Sequence, residues 1–178
     1  MKLAHLSIVS LLALAPALAA ARGPSTPAER RRAVELTRLL ERDPLAAGSD
    51  AARAWLLDWI KAIPDIEVRS CPGPLDALQE DEDGARYGPQ LYSQSVFGMA
   101  AYLAERPGRK AGWVAVQTAG IESVLRAYRA VLAAEPGARW PELDRLVAAG
   151  RQGTLARLVE QTMRGCGDEA GRVPAGTI

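Results

Sequence analysis

Apolar positions along most of this chain recur at helical rather than alternating spacing. Thr26-Pro27-Ala28-Glu29 has the form of a capping box with proline at the first helical position, and Val34, Leu36, Leu39 and Leu40 mark the helix it opens. Asp43-Pro44 ends that helix. Ser49 or Asp50 is placed to cap a second helix, in which Trp55, Leu56, Trp59, Ile60 and Ile63 fall at i, i+1, i+4, i+5 and i+8 before Pro64 stops it. Two longer helices follow over 90–105 and 110–135. Between Gln90 and Leu103 there is no charged side chain, and between Lys110 and Glu135 only Glu122, Arg126 and Arg129 are charged. Helices apolar on most of their circumference belong in the middle of a bundle. Gly98 and Gly120 fall inside them, where glycine costs about 1 kcal/mol relative to alanine, so the pattern predicts a close helix crossing. Shorter helices over 141–149 and 154–164 complete the pattern, and Gly165-Cys166-Gly167 ends the last of them.

The region 65–89 does not follow this period. Ile66-Glu67-Val68-Arg69 alternates over four residues but has no second strand to pair with, Pro72-Gly73-Pro74 is a turn, and Leu75-Asp76-Ala77-Leu78 suits a helical turn. The fold expected is therefore all-α: a single-domain helical bundle of about five to seven helices with one long loop region.

The two ends read differently from the bundle. Lys2 followed by an apolar run over 3–14 and small-x-small sites ending at Ala19 or Ala21 has the form of a secretory signal peptide, with cleavage expected after Ala19 or, alternatively, after Ala21. The run is shorter than the ~20 residues that span hydrocarbon. The division expected is a leader over 1–19, a linker over 20–26, a helical domain over 27–167 and a flexible tail over 168–178, located outside the cytoplasm, in the periplasm or medium.

Composition matters mainly through that leader. The chain has 22 Lys+Arg, 21 Asp+Glu and one histidine; cleavage removes Lys2 and the histidine, His5, and leaves 21 basic against 21 acidic side chains. Without imidazole, nucleophilic triads and dyads lack their usual base and histidine-bound metal sites lack their ligand. Balanced charge is not that of a nucleic-acid binder. Arg30-Arg31-Arg32, flanked by Glu29 and Glu35, reads as a solvated helix face. No cofactor or metal motif appears. Glu80-Asp81-Glu82-Asp83-Gly84 lacks the alternate spacing and distal glutamate of a calcium loop, and reads as a solvated acidic loop. In an oxidising compartment Cys71 and Cys166, the two cysteines present, are expected to form one disulfide.

Gln94, Ser95, Gln117, Thr118, Glu122 and Ser123 interrupt the apolar faces of the two central helices. Gln94, Gln117 and Glu122 are the candidates for a small polar pocket, with Arg126 one turn on as the partner for Glu122. Leu-x-x-x-Pro recurs at Leu40–Pro44, Leu103–Pro107 and Leu132–Pro136, the last two beside Ala101-Tyr102 and Ala127-Tyr128. These endings resemble the close of the second helix in tetratricopeptide repeats, a resemblance that implies helical hairpins serving protein interaction. The prolines stand 63 and 29 residues apart, whereas the repeat period is about 34. The function expected is a non-catalytic binding or structural module, with a protein or small molecule as partner and Tyr87, Tyr92 or Trp140 as exposed anchors. The alternative is a carboxylate-dependent hydrolase using Glu122 and a second acid about 5 to 10 Å away in one concave site.

Overall fold

A computed structural model describes residues 22–69, 71, 73–80 and 86–164. The leader, the run 81–85 and everything from Gly165 onward, including Cys166 and the tail, lie outside the described residues. The acidic-loop and disulfide expectations therefore rest in part on positions that are not described.

Among the described residues there are six helices of eight residues or more and one four-residue turn: α1 (Pro27–Arg42), α2 (Ser49–Ala62), α3 (Ala77–Glu80), α4 (Gly88–Ala104), α5 (Trp113–Ala134), α6 (Pro141–Arg151) and α7 (Leu155–Thr162). No strand is present among them. The Leu-x-x-x-Pro segments end α1, α4 and α5.

The capping box at Thr26 forms as its sequence dictates: the Thr26 hydroxyl accepts the Glu29 amide at 3.2 Å, and the Glu29 carboxylate accepts the Thr26 amide at 2.8 Å. The start of α2 differs from expectation. Neither Ser49 nor Asp50 caps it; Gly48 does, at φ 91°, a left-handed conformation that glycine adopts without strain. Ser49 instead donates its hydroxyl back to the Asp43 carbonyl at 3.2 Å, which closes the turn after α1.

Helices α4 and α5 form the middle of the bundle. Eleven of the 17 residues of α4 are buried, in keeping with its lack of charge. The predicted close crossing is present, and both glycines are required for it. A Cβ on Gly98 would lie 2.3 Å from the Ser123 Cβ, and one on Gly120 would lie 2.8 Å from the Ser95 carbonyl oxygen. Two apolar clusters flank this crossing. One joins α1 and α2 to the second half of α4 through Leu40, Leu56, Trp59, Ile63 and Phe97. The other joins α5, α6 and α7 to Leu91 through Leu125, Tyr128, Leu143, Leu146 and Val159.

The buried face of α1 follows its apolar positions only in part. Ala33, Thr37, Leu40 and Glu41 face inward, and Leu39 is exposed. Small side chains at 33 and 37 let α1 approach α4, while Leu40 is fully buried and Val34 and Leu36 pack partly buried against the same cluster. The extended piece 66–69 has no strand partner: Ile66 is buried against α1 and α2, and the Arg69 carbonyl accepts a hydrogen bond from Gln117 of α5 at 2.7 Å. Asp65 receives both the amide and the hydroxyl of Ser25, at 2.7 and 2.6 Å, and so ties the approach to α1 to the loop after α2.

Candidate functional site

The candidate polar residues do not converge on one pocket. Gln94 is sealed inside the α1–α4–α5 packing, where its amide donates to the Ser123 hydroxyl at 2.9 Å and to the Thr37 carbonyl at 3.3 Å. Gln117 is buried some turns away, bonded to Arg69 and 3.6 Å from the Cys71 sulfur, on the wall of a cleft of about 260 Å³. Glu122 is exposed. It lies 3.8 Å from Arg126, the partner its spacing predicts, and lines another cleft of about 300 Å³. No second carboxylate lines that cleft among the described residues, and Asp144 lines an adjoining one.

The buried acid is Glu41, a residue that sequence reasoning passed over. Its side chain is 4% exposed. The Ser123 hydroxyl donates to it at 2.6 Å, Arg126 at 2.9 Å and Arg38 at 2.8 Å. Burial alone would raise its pKa, but the hydrogen bonds from Arg126, Ser123 and Arg38 outweigh that effect, so the carboxyl titrates below its ordinary range. The signal available in the sequence was its register: Glu41 stands four residues after Thr37 and eight after Ala33, on the small-residue stripe. This network joins α1 and α5, reaches α4 through the Gln94–Ser123 bond, and at its Arg126 end lines the same cleft as Glu122.

A larger recess lies at the other end of the α4–α5 pair. A cleft of about 590 Å³ is bounded by the start of α4, the end of α5 and the start of α6, and is lined by Arg86, Tyr87, Leu91, Val131, Glu135, Arg139, Trp140 and Glu142, among others. The sequence builds it with three helix boundaries. Pro89 near the start of α4, Pro136-Gly137 after α5 and Pro141 at the start of α6 each bring a helix end to the same place. Tyr87 donates its hydroxyl to Glu135 at 2.5 Å, and Arg86 bonds the same carboxylate at 2.9 Å. The bond to Glu135 raises the Tyr87 pKa. Glu142 is held by Arg145 at 2.8 Å, and Arg139 lies 3.5 Å from Asp144. Beneath the rim, the Tyr128 hydroxyl accepts the Trp140 amide at 2.8 Å and is itself 3.1 Å from Asp144, which fixes the loop that carries Trp140.

Tyr87 and Trp140 are both half-buried and share this cleft, as two of the three expected aromatic anchors. Tyr92 is half-buried against the α5–α6–α7 cluster instead. Among the described residues, no group of three or more Cys, His, Asp or Glu is placed to hold a metal ion, and no helix is long and apolar enough to cross a membrane.

A second recess runs along the α5–α6 hairpin. On α5, Glu122, Leu125, Arg126 and Arg129 line it at i, i+3, i+4 and i+7; on α6, Asp144, Val147, Ala148 and Arg151 do so with the same spacing. Its two adjoining parts, about 370 and 300 Å³, share Arg129, Val147 and Arg151.

No protein-family model matches this chain, and no curated protein and no solved structure matches it either.

Proposed function

We infer that this chain is an extracytoplasmic, non-catalytic binding module whose ligand site is the cleft between Tyr87 and Trp140. The observation that carries this reading is the cleft itself: two half-buried aromatic rings in a recess of about 590 Å³, within the range of about 300 to 1,000 Å³ usual for small-ligand sites. Its charged groups already bond one another, Glu135 to Arg86 and Tyr87, and Glu142 to Arg145. Such groups orient a ligand; they do not offer a free base or nucleophile. The occupant that fits is a small molecule or a short peptide end with an apolar ring or chain for the aromatic walls and polar atoms for the rim.

The leader pattern over 1–19 supports the compartment. A Cys71–Cys166 disulfide is part of the same proposal, because Met163, three residues before Cys166, packs closely against Gly73, two residues after Cys71. Intact-mass measurement of the exported, non-reduced protein tests both points. It should begin at residue 20 or 22 and weigh two hydrogens less than the reduced form; an uncleaved chain or two free thiols contradicts them. The site is tested by screening a set of aromatic amides and carboxylates against the native chain and Trp140→Ala. Hits that raise the melting temperature of the native chain and not of the variant support the cleft, and equal responses from both exclude it.

A further inference from the structure

The recess along the α5–α6 hairpin has a chemistry that the Tyr87–Trp140 cleft lacks. Its cations are unequally engaged. Arg126 is turned to the buried Glu41, and Arg139 is 3.5 Å from Asp144. Arg129 and Arg151 are exposed, and neither has a carboxylate within 4.0 Å among the described residues. The Nε of Arg129 donates to the Leu125 carbonyl at 3.1 Å, which anchors the base of the guanidinium and leaves its two terminal nitrogens for another acceptor.

The geometry points to this groove as the docking site for an acidic peptide segment of a partner protein, one with apolar side chains between its carboxylates. The charge complementarity is local, because the whole chain carries a net charge of only +1. Two guanidinium forks on facing helices match two carboxylates. Between them the lining is partly apolar, made by Leu132, Val147 and Ala148. A bare inorganic anion would satisfy the arginines and leave that lining wet, whereas a helix or extended peptide covers both, in the manner of helix-in-groove recognition.

The test is fluorescence anisotropy with the full chain and a labelled synthetic peptide carrying Glu and Leu at helical spacing. The native protein should bind it, with affinity falling as salt rises. Arg129→Glu/Arg151→Glu should weaken binding by at least about tenfold. Arg31→Glu/Arg109→Glu makes the same change in net charge at exposed positions outside the groove and should keep the native affinity. Trp140→Ala should also keep it, which separates the failure of this proposal from failure of the aromatic cleft. Should the groove variant not fold by circular dichroism, Arg129→Gln/Arg151→Gln gives the same comparison. The proposal is overturned by absence of binding, by equal losses in both charge-reversed proteins, by equal binding of a Lys-for-Glu peptide, or by displacement with sodium phosphate at matched ionic strength.

Discussion

Glu41 is the side chain on which the middle of this molecule turns. It is nearly inaccessible, yet three donors from two helices keep it ionised. Removing one member of a buried charged network leaves the others uncompensated, at a cost of about 3 to 5 kcal/mol when fully buried. Arg38 and Arg126 retain about a third of their exposure, so Glu41→Ala is expected to lower stability by less, about 2 to 3 kcal/mol in urea denaturation. Because the folded pKa lies below the ordinary carboxylate value of 4.5, the stability Glu41 adds is present above that value and is lost as pH falls through the folded pKa. Asp65, bonded to Ser25, acts in the same direction. Glu41→Gln should therefore flatten the acid limb of the stability profile below about pH 5, and an unchanged limb would exclude this role. At this scale the sequence was partly legible. Gln94 and Gln117 stood out as polar residues in apolar helices and both are buried, and the Glu122–Arg126 spacing gave a real contact. Glu41 did not stand out, because it lies in a charged stretch, Leu40-Glu41-Arg42, and its burial depends on where α4 and α5 pack.

Among the elements, glycines that look alike in sequence differ in role, for the α4–α5 crossing requires Gly98 whereas Gly150 of α6 lies outside it. Gly98→Ala puts a methyl group 2.3 Å from the Ser123 Cβ. The helices must separate, and the expected loss is about 1 to 3 kcal/mol despite alanine's better helix propensity. Gly150 sits near the end of α6 with nothing within 4 Å of an added Cβ, so Gly150→Ala should stabilise by roughly 0.5 to 1 kcal/mol. Thermal melts of the two variants moving in the same direction would refute this reading of the crossing. Helix positions were largely legible from period and proline stops: α1, α4, α5 and α6 lie within a few residues of their expected bounds. The cap of α2 was not, since a left-handed residue at Gly48 is required by the turn after α1 and not by the residues of α2. The buried face of α1 was legible only in part. Apolar periodicity points to leucines, whereas close helix approach selects small residues at 33 and 37.

Across the whole molecule, α4 contributes to both apolar clusters and α1 packs on both α4 and α5, so the clusters should unfold together as one transition. The proposed Cys71–Cys166 bond would tie the loop after α2 to the end of α7, and reducing it should cost about 2 to 4 kcal/mol; a reduced protein as stable as the oxidised one would contradict the bond. All-α architecture could be read before the fold was known, and Tyr87 and Trp140, singled out as aromatic residues, line one cleft. The cleft itself could not be read, since it brings the start of α4 against the α5–α6 turn, two places far apart in the chain. The most direct measurement is residue-resolved NMR of the labelled chain during titration with the aromatic fragments. Shifts should concentrate at Tyr87, Leu91, Glu135 and the Trp140 indole, leaving Trp55, Trp59 and Trp113 unmoved. Shifts confined to other surfaces, or spread evenly over all four tryptophans, would contradict the assignment of the cleft as the binding site.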